Sequence, residues 1–133
     1  MAYPEDFDDL LLSNQAEYHD LAPKARVAFC IHGFESQVNN GGFHQFFFNS
    51  SGEYVRETLA ALAAIGAPRT RDLLEQAAAV AFPSGYPSDA RTHQDALADY
   101  DGVADTLEQL DNQFFAYTEP LADLVNAYLS KDT

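Results

Sequence analysis

Tryptophan is absent from these 133 residues, and cysteine occurs once, as Cys30. A lone cysteine excludes an intramolecular disulfide and leaves too few thiolates for a structural zinc site, which fits a reducing, cytoplasmic setting. Basic side chains are nearly as scarce: seven Lys and Arg stand against 21 Asp and Glu, a formal net charge of -14. Binding a phosphate backbone or an anionic lipid surface needs clustered cations, so direct partnership with nucleic acid or membrane is disfavoured. Long apolar runs are missing as well. The opening MAYPEDFDDLLL is acidic and broken by Pro4, too short an apolar stretch for a signal peptide or a membrane span. Period-two alternation never lasts long enough to predict a strand.

Apolar residues, by contrast, make up 47% of the chain, enough for a real core and too many for a disordered segment. At this length roughly two-thirds of the unfolded surface is buried on folding, so residues 1–133 read as one domain that needs no metal or disulfide staple. The charge is unevenly placed. Residues 1–23 hold six acids and no base, residues 24–91 six of each, and residues 92–133 nine acids and one base. A neutral body thus carries two negative ends, and what such ends attract is a cationic protein surface or metal held by converging carboxylates.

The spacing of apolar residues predicts an all-α fold, a compact bundle of about six to eight helices. Phe7, Leu10, Leu11, Asn14 and Tyr18 suggest a first helix ending near Leu21, and Pro23 opens a second with Val27, Ile31, Phe34 and Val38 on one stripe. Asn39, Asn40, Gly41 and Gly42 stop that helix, because Asn and Gly accept left-handed backbone. A short aromatic segment follows over residues 43–49. Ser50 and Glu53 have capping-box spacing for a helix carrying Val55, Leu59 and Leu62, with Gly66 as C-cap and Pro68 opening the next helix, which runs to about Phe82. Residues 83–88 form the longest loop, and Ser88 is placed to cap a helix from Asp89. A further helix after Gly102 buries Val103, Leu107, Leu110 and Phe114. Residues 118–120 open the last, with Leu121, Leu124, Val125, Tyr128 and Leu129 inward.

Asp101, Asp105, Glu108 and Asp111 recur at i, i+4, i+7 and i+10, which puts them on one helical face nearly opposite the apolar stripe. Asp95, Asp99, Glu119 and Asp123 could extend that ridge. Carboxylates three or four residues apart lie about 5 to 6 Å from one another, comparable with neighbouring phosphates, so the array could imitate a nucleic-acid backbone. A solvated exterior that keeps the protein soluble explains the same pattern.

Other chemistries fare worse. His32, Glu35 and His44 are the best metal or enzymatic cluster available, but helical carboxylate-bridged centres draw glutamates and Glu-x-x-His pairs from several helices, and Glu35 stands almost alone. We therefore expect neither a metal nor a cofactor, and no catalytic residue. Cys30 lies on an apolar helix without a flanking base, and Ser50 and Ser51 read as caps. Asn40, Gly41 and Gly42 lack the strand before and the Lys after that a phosphate-binding loop uses. The densest run of unusual residues, 38–52, has a structural explanation: Phe43, Phe46 and Phe47 anchor a short helix while Gln45 and Asn49 hydrogen-bond the loop backbone.

That run also carries a resemblance. Asn40, Gly41, Gly42 and Phe43, with Gln45, Phe46 and Phe47 and then Asn49, Ser50, Ser51 and Gly52, are similar to a family of small all-helical bacterial proteins typified by a Neisserial DNA mimic. The similarity continues through Ala61, Leu62 and residues 65–67, and more loosely through Leu107, Leu110, Asp111, Phe114 and Phe115. It implies an acidic, helical homodimer that occupies the DNA-binding face of a transcription factor or another basic DNA-binding protein. The carboxylates expected to make that contact are Asp95, Asp99, Asp101, Asp105, Glu108, Asp111, Glu119 and Asp123. Two other readings of the same chain are an immunity or antitoxin-like inhibitor and a helical domain with no mimicry.

Overall fold

The computed structural model describes residues 21–131, apart from the side chains of Ser50 and Ser51; the helix expected before Leu21 lies outside them. Six α-helices follow one another, and no strand occurs among the described residues. They are α1 (Pro23–Phe48), α2 (Val55–Ile65), α3 (Pro68–Ala81), α4 (His93–Ala96), α5 (Tyr100–Phe115) and α6 (Leu121–Ser130), with short 3-10 turns at Ser50–Tyr54 and Ala90–Thr92. The all-α expectation holds.

The longest helix is two limbs joined at a kink. Gly41 (φ -154°, ψ 17°) and Gly42 (φ 81°, ψ -178°) leave the helical region inside α1, where the Asn and Gly residues were expected to end it. Gly42 takes the left-handed φ that a side chain resists. Its lack of a Cβ matters twice over, because an added one would collide with the carboxylate of Asp111. The kink turns Phe43, Phe46 and Phe47 back toward Phe34 of the first limb. Phe34 meets Phe46 at 5.1 Å between ring centroids, Phe114 of α5 at 5.4 Å and Phe43 at 5.9 Å. The first two pairs are edge-on, the geometry that aromatic quadrupoles favour. Phe47 carries the contact on to Phe82, and Phe82 to Tyr86.

Around these rings most of the predicted stripe residues are buried, and Val27, Leu59, Val103, Leu124, Tyr128 and Leu129 are partly so. Ile31, Phe34 and Val38 of α1, Val55 and Leu62 of α2, Leu73, Leu74, Ala77 and Ala81 of α3, and Leu107, Leu110 and Phe114 of α5 share one core with Leu121 and Val125 of α6. Gly66 caps α2 in the left-handed conformation, with its N–H on Ala63 O and that of Ala67 on Leu62 O. Pro68 then begins α3 as expected.

Three boundaries and one set of side-chain contacts depart from expectation. The helix expected to open at Ser50 and Glu53 opens at Val55 instead, behind a 3-10 turn that contains both residues, and no side chain caps it. The segment after the loop is capped by Asp89 and not Ser88: its side chain accepts from the Arg91 N–H and closes a 3-10 turn before the single-turn α4. α5 begins at Tyr100, two residues before Gly102, whose N–H closes the first turn on Asp99 O at 3.2 Å. Gln45 and Asn49 do not bind the loop backbone through their side-chain amides. Both donate to Gln37 Oε1, at 2.9 and 2.7 Å, and so bridge the two limbs across the kink. The loop itself is pinned, with Tyr86 Oη donating to Gly52 O at 2.5 Å and Arg56 lying over the Tyr86 ring at 4.6 Å.

Gly42 and Gly66 share a positive φ but not their surroundings, for nothing lies within 4 Å of a Cβ placed on Gly66. Gly66→Ala should cost about 1 kcal/mol of backbone strain, whereas Gly42→Ala should cost at least about 2 kcal/mol more because it also displaces Asp111. Urea midpoints of the two variants measure the difference.

Candidate acidic interface

On α5 the buried and exposed faces separate cleanly. Asp101, Asp105 and Glu108 are all exposed, while Leu107, Leu110 and Phe114 face inward. Asp95 is exposed on α4, and Asp99 at the N-cap position of α5. Asp99 and Asp101 stand on either side of Tyr100 at the N-terminus of α5. No Lys or Arg occurs between Thr92 and Ser130, so α5 and both its flanks bring no base of their own.

Two of the eight predicted contact residues have a different setting. Asp111 follows Leu107 by one turn, only about 40° around the helix from a core position, so it sits at the edge of the buried face. Its Oδ1 accepts the backbone N–H of Phe43 at 2.8 Å, the first amide after the kink. Burial pushes the Asp111 carboxyl up; the Phe43 N–H pulls it down, and repulsion from Glu108 raises it further, leaving it above the ordinary aspartate value.

Glu119 is the second. Its Oε1 accepts from the Thr70 N–H and hydroxyl, both at 2.7 Å, and its Oε2 from the Arg69 N–H at 3.0 Å. These amides open α3, whose own N-cap residue, Ala67, has no side chain to offer. A residue 49 positions downstream of Thr70 thus supplies the cap. Burial works to raise the Glu119 carboxyl, but the bonds from Thr70 and Arg69 and the Arg69 charge outweigh it and hold it below the ordinary glutamate value.

Asp123, exposed in the first turn of α6, lies elsewhere. It lines a shallow pocket with Glu35 and Tyr117. Tyr117 is the only non-glycine residue with positive φ among those described, at 49°. Its hydroxyl donates to Glu35 Oε2 at 2.6 Å and accepts from Asn39 Nδ2 at 2.8 Å, tying the α5–α6 link to α1. Burial and the Glu35 bond push its phenol up to about 12. Nothing in the spacing of Tyr117 marked it out.

His32, Glu35 and His44 do not assemble. Glu35 is engaged with Tyr117, His44 packs edge-on against Tyr100 at 5.0 Å, and no group of three or more His, Cys, Asp or Glu converges among the described residues. Cys30 is buried. No helix among the described residues is long and apolar enough to cross a membrane.

A carboxyl lowered by folding stabilises the native state above its unfolded pKa, and that contribution disappears as pH falls through its folded value. Glu119→Ala should therefore cost about 1 to 2 kcal/mol at neutral pH, the size of a lost helix cap. The gap from wild type should narrow as pH drops through and below the carboxylate range. Denaturant melts at pH 7 and at progressively lower pH test this, and a constant gap would contradict it.

No curated protein and no solved structure matches the chain. The family model described as DMP19-like protein matches residues 19–132, nearly the whole length and including the kink, the aromatic core and the acidic helix. By that match, and as the run from Asn40 to Gly52 led us to expect, the chain belongs to the DMP19-like protein family.

Proposed function

We propose that this chain is a non-enzymatic binding protein whose α5 carboxylates take the place of DNA phosphates against the DNA-binding surface of a basic protein, such as a bacterial transcription factor. The observation that carries this reading is the exposure of Asp101, Asp105 and Glu108 along one side of a helix without a basic residue. From Asp101 to Glu108 is seven residue steps, about 10 Å of helix, so successive charges stand roughly 5 Å apart along the axis. A single DNA strand carries one phosphate per ~3.4 Å of axis, so the array has about two-thirds of that linear charge density. Asp95 and Asp99 continue the series toward α4, and Asp123 adds a charge on α6. Membership of a DNA-mimic-type family, not a known enzyme family, agrees with it.

The mechanism is competition. A basic surface that exchanges its counterions for phosphates does the same with a rigid carboxylate array, and while the array is bound DNA has no access. The α5 face is also under mild strain of its own, since like charges one turn apart destabilise a helix by a few tenths of a kcal/mol. A surface serving solubility alone has no need of that arrangement.

Immobilised protein should capture from cell lysate a protein that duplex DNA releases and that binds DNA when purified. The triple variant Asp101→Asn, Asp105→Asn, Glu108→Gln should bind that partner on the order of tenfold more weakly or worse, yet melt at an equal or slightly higher temperature. Undiminished capture by the triple variant, or partners indifferent to duplex DNA, would overturn the reading.

A further inference from the structure

The second limb of α1 ends beside the start of α5, and between them lies an open cleft of about 550 Å³ lined by Gly41, His44, Gln45, Phe48, Asn49 and Tyr100. Two of its walls are aromatic rings left in solvent: Phe48 is 52% exposed and Tyr100 48%. Tyr100 is held by a ring contact and Phe48 by its backbone. His44 stands edge-on to Tyr100, with its Nε2 3.3 Å from Ala98 O, and the Phe48 carbonyl accepts from Gln94 Nε2 at 2.6 Å.

The polar lining has one character. Because Gln45 and Asn49 both direct their amide nitrogens to Gln37 Oε1, their amide oxygens remain as acceptors. Gln45 Oε1 lies over Gly41, where any Cβ would strike it. Exposed Asp99 and Asp101 are not part of the lining but precede and follow Tyr100 in the chain, their Cα atoms about 3.8 Å from its own. Aromatic faces, amide acceptors and carboxylates together call for a flat cation rich in N–H donors.

A guanidinium meets all three requirements. It stacks on rings, donates in its plane to carbonyl and carboxylate oxygens, and is weakly hydrated, whereas an ammonium is a compact and strongly hydrated charge. We propose that this cleft is the docking site for an arginine side chain of the basic partner, laid against Phe48 and Tyr100 and neutralised by Asp99 and Asp101. The inference rests on the reading of the acidic surface as a partner-binding face, and adds to it a contact that distinguishes arginine from lysine.

Calorimetric titration of the full chain with an oligoarginine and an oligolysine peptide of equal length tests it. The wild type should prefer oligoarginine by roughly three- to tenfold. In the variant Phe48→Leu, Tyr100→Leu, which trims two exposed rings, that preference should fall toward one while oligolysine affinity stays the same. Independently of any variant, oligoarginine should shift the amide resonances of His44, Phe48 and Tyr100 in wild-type NMR spectra more than oligolysine does. Equal affinities in the wild type, or a preference that survives loss of both rings, would overturn the cleft proposal and leave the acidic face standing. Binding of neither peptide would overturn both.

Discussion

One hydrogen bond, from the Phe43 N–H to Asp111, supports more of this structure than its size suggests. Breaking a helix at two glycines frees backbone amides at the start of the next limb, and a buried amide without an acceptor is expensive. Asp111 supplies the acceptor and links α1 to α5 in the same contact. Because the second limb is held there, Phe43, Phe46 and Phe47 can fold back on Phe34 and Phe114 to make the centre of the core. Gly42 completes the arrangement, since its missing side chain is the space that the carboxylate occupies.

Glu119 does for α3 what Asp111 does for the second limb of α1. In both cases a carboxylate from the acid-rich third of the chain serves amides of a helix far away in sequence. Charge-assisted bonds to backbone N–H groups are stronger than neutral ones; at Glu119 they outweigh the cost of burial, whereas at Asp111 burial outweighs the single bond. The acidity of this region therefore divides into two kinds of carboxylate. Asp111 and Glu119 hold helix starts together, while Asp101, Asp105 and Glu108 face solvent.

On the proposed reading, the exposed acids and the aromatic cleft divide the work of recognition. A row of unscreened carboxylates acts at a distance and speeds encounter with a basic surface, but it discriminates weakly among basic surfaces. Contact with rings and amide oxygens acts only at close range and depends on the shape of the cation. The two features adjoin because Tyr100 is the first residue of α5, between two of the acids.

Much of this was legible in the residue pattern. Helical periodicity, with Pro23 and Pro68 at helix starts, Gly66 at a helix end and the Asn and Gly run at a break, determined an all-α chain and most of its boundaries, because these signals depend on local backbone preference and on the period of burial. The aromatic run was read correctly as core for the same reason. Spacing also put Asp101, Asp105 and Glu108 on one exposed face. It could not separate Asp111 from them, because a position at the edge of a stripe is exposed or buried according to what packs beside it, and the neighbour here is a kink 68 residues upstream. Nor could it show Glu119 capping α3, Tyr117 reaching Glu35, or Gln45 and Asn49 turning their amides to Gln37 and leaving oxygens beside Phe48 and Tyr100. Those are encounters between distant parts of the chain, and a one-dimensional pattern carries the chemistry of each side chain but not the identity of the atoms that folding brings against it.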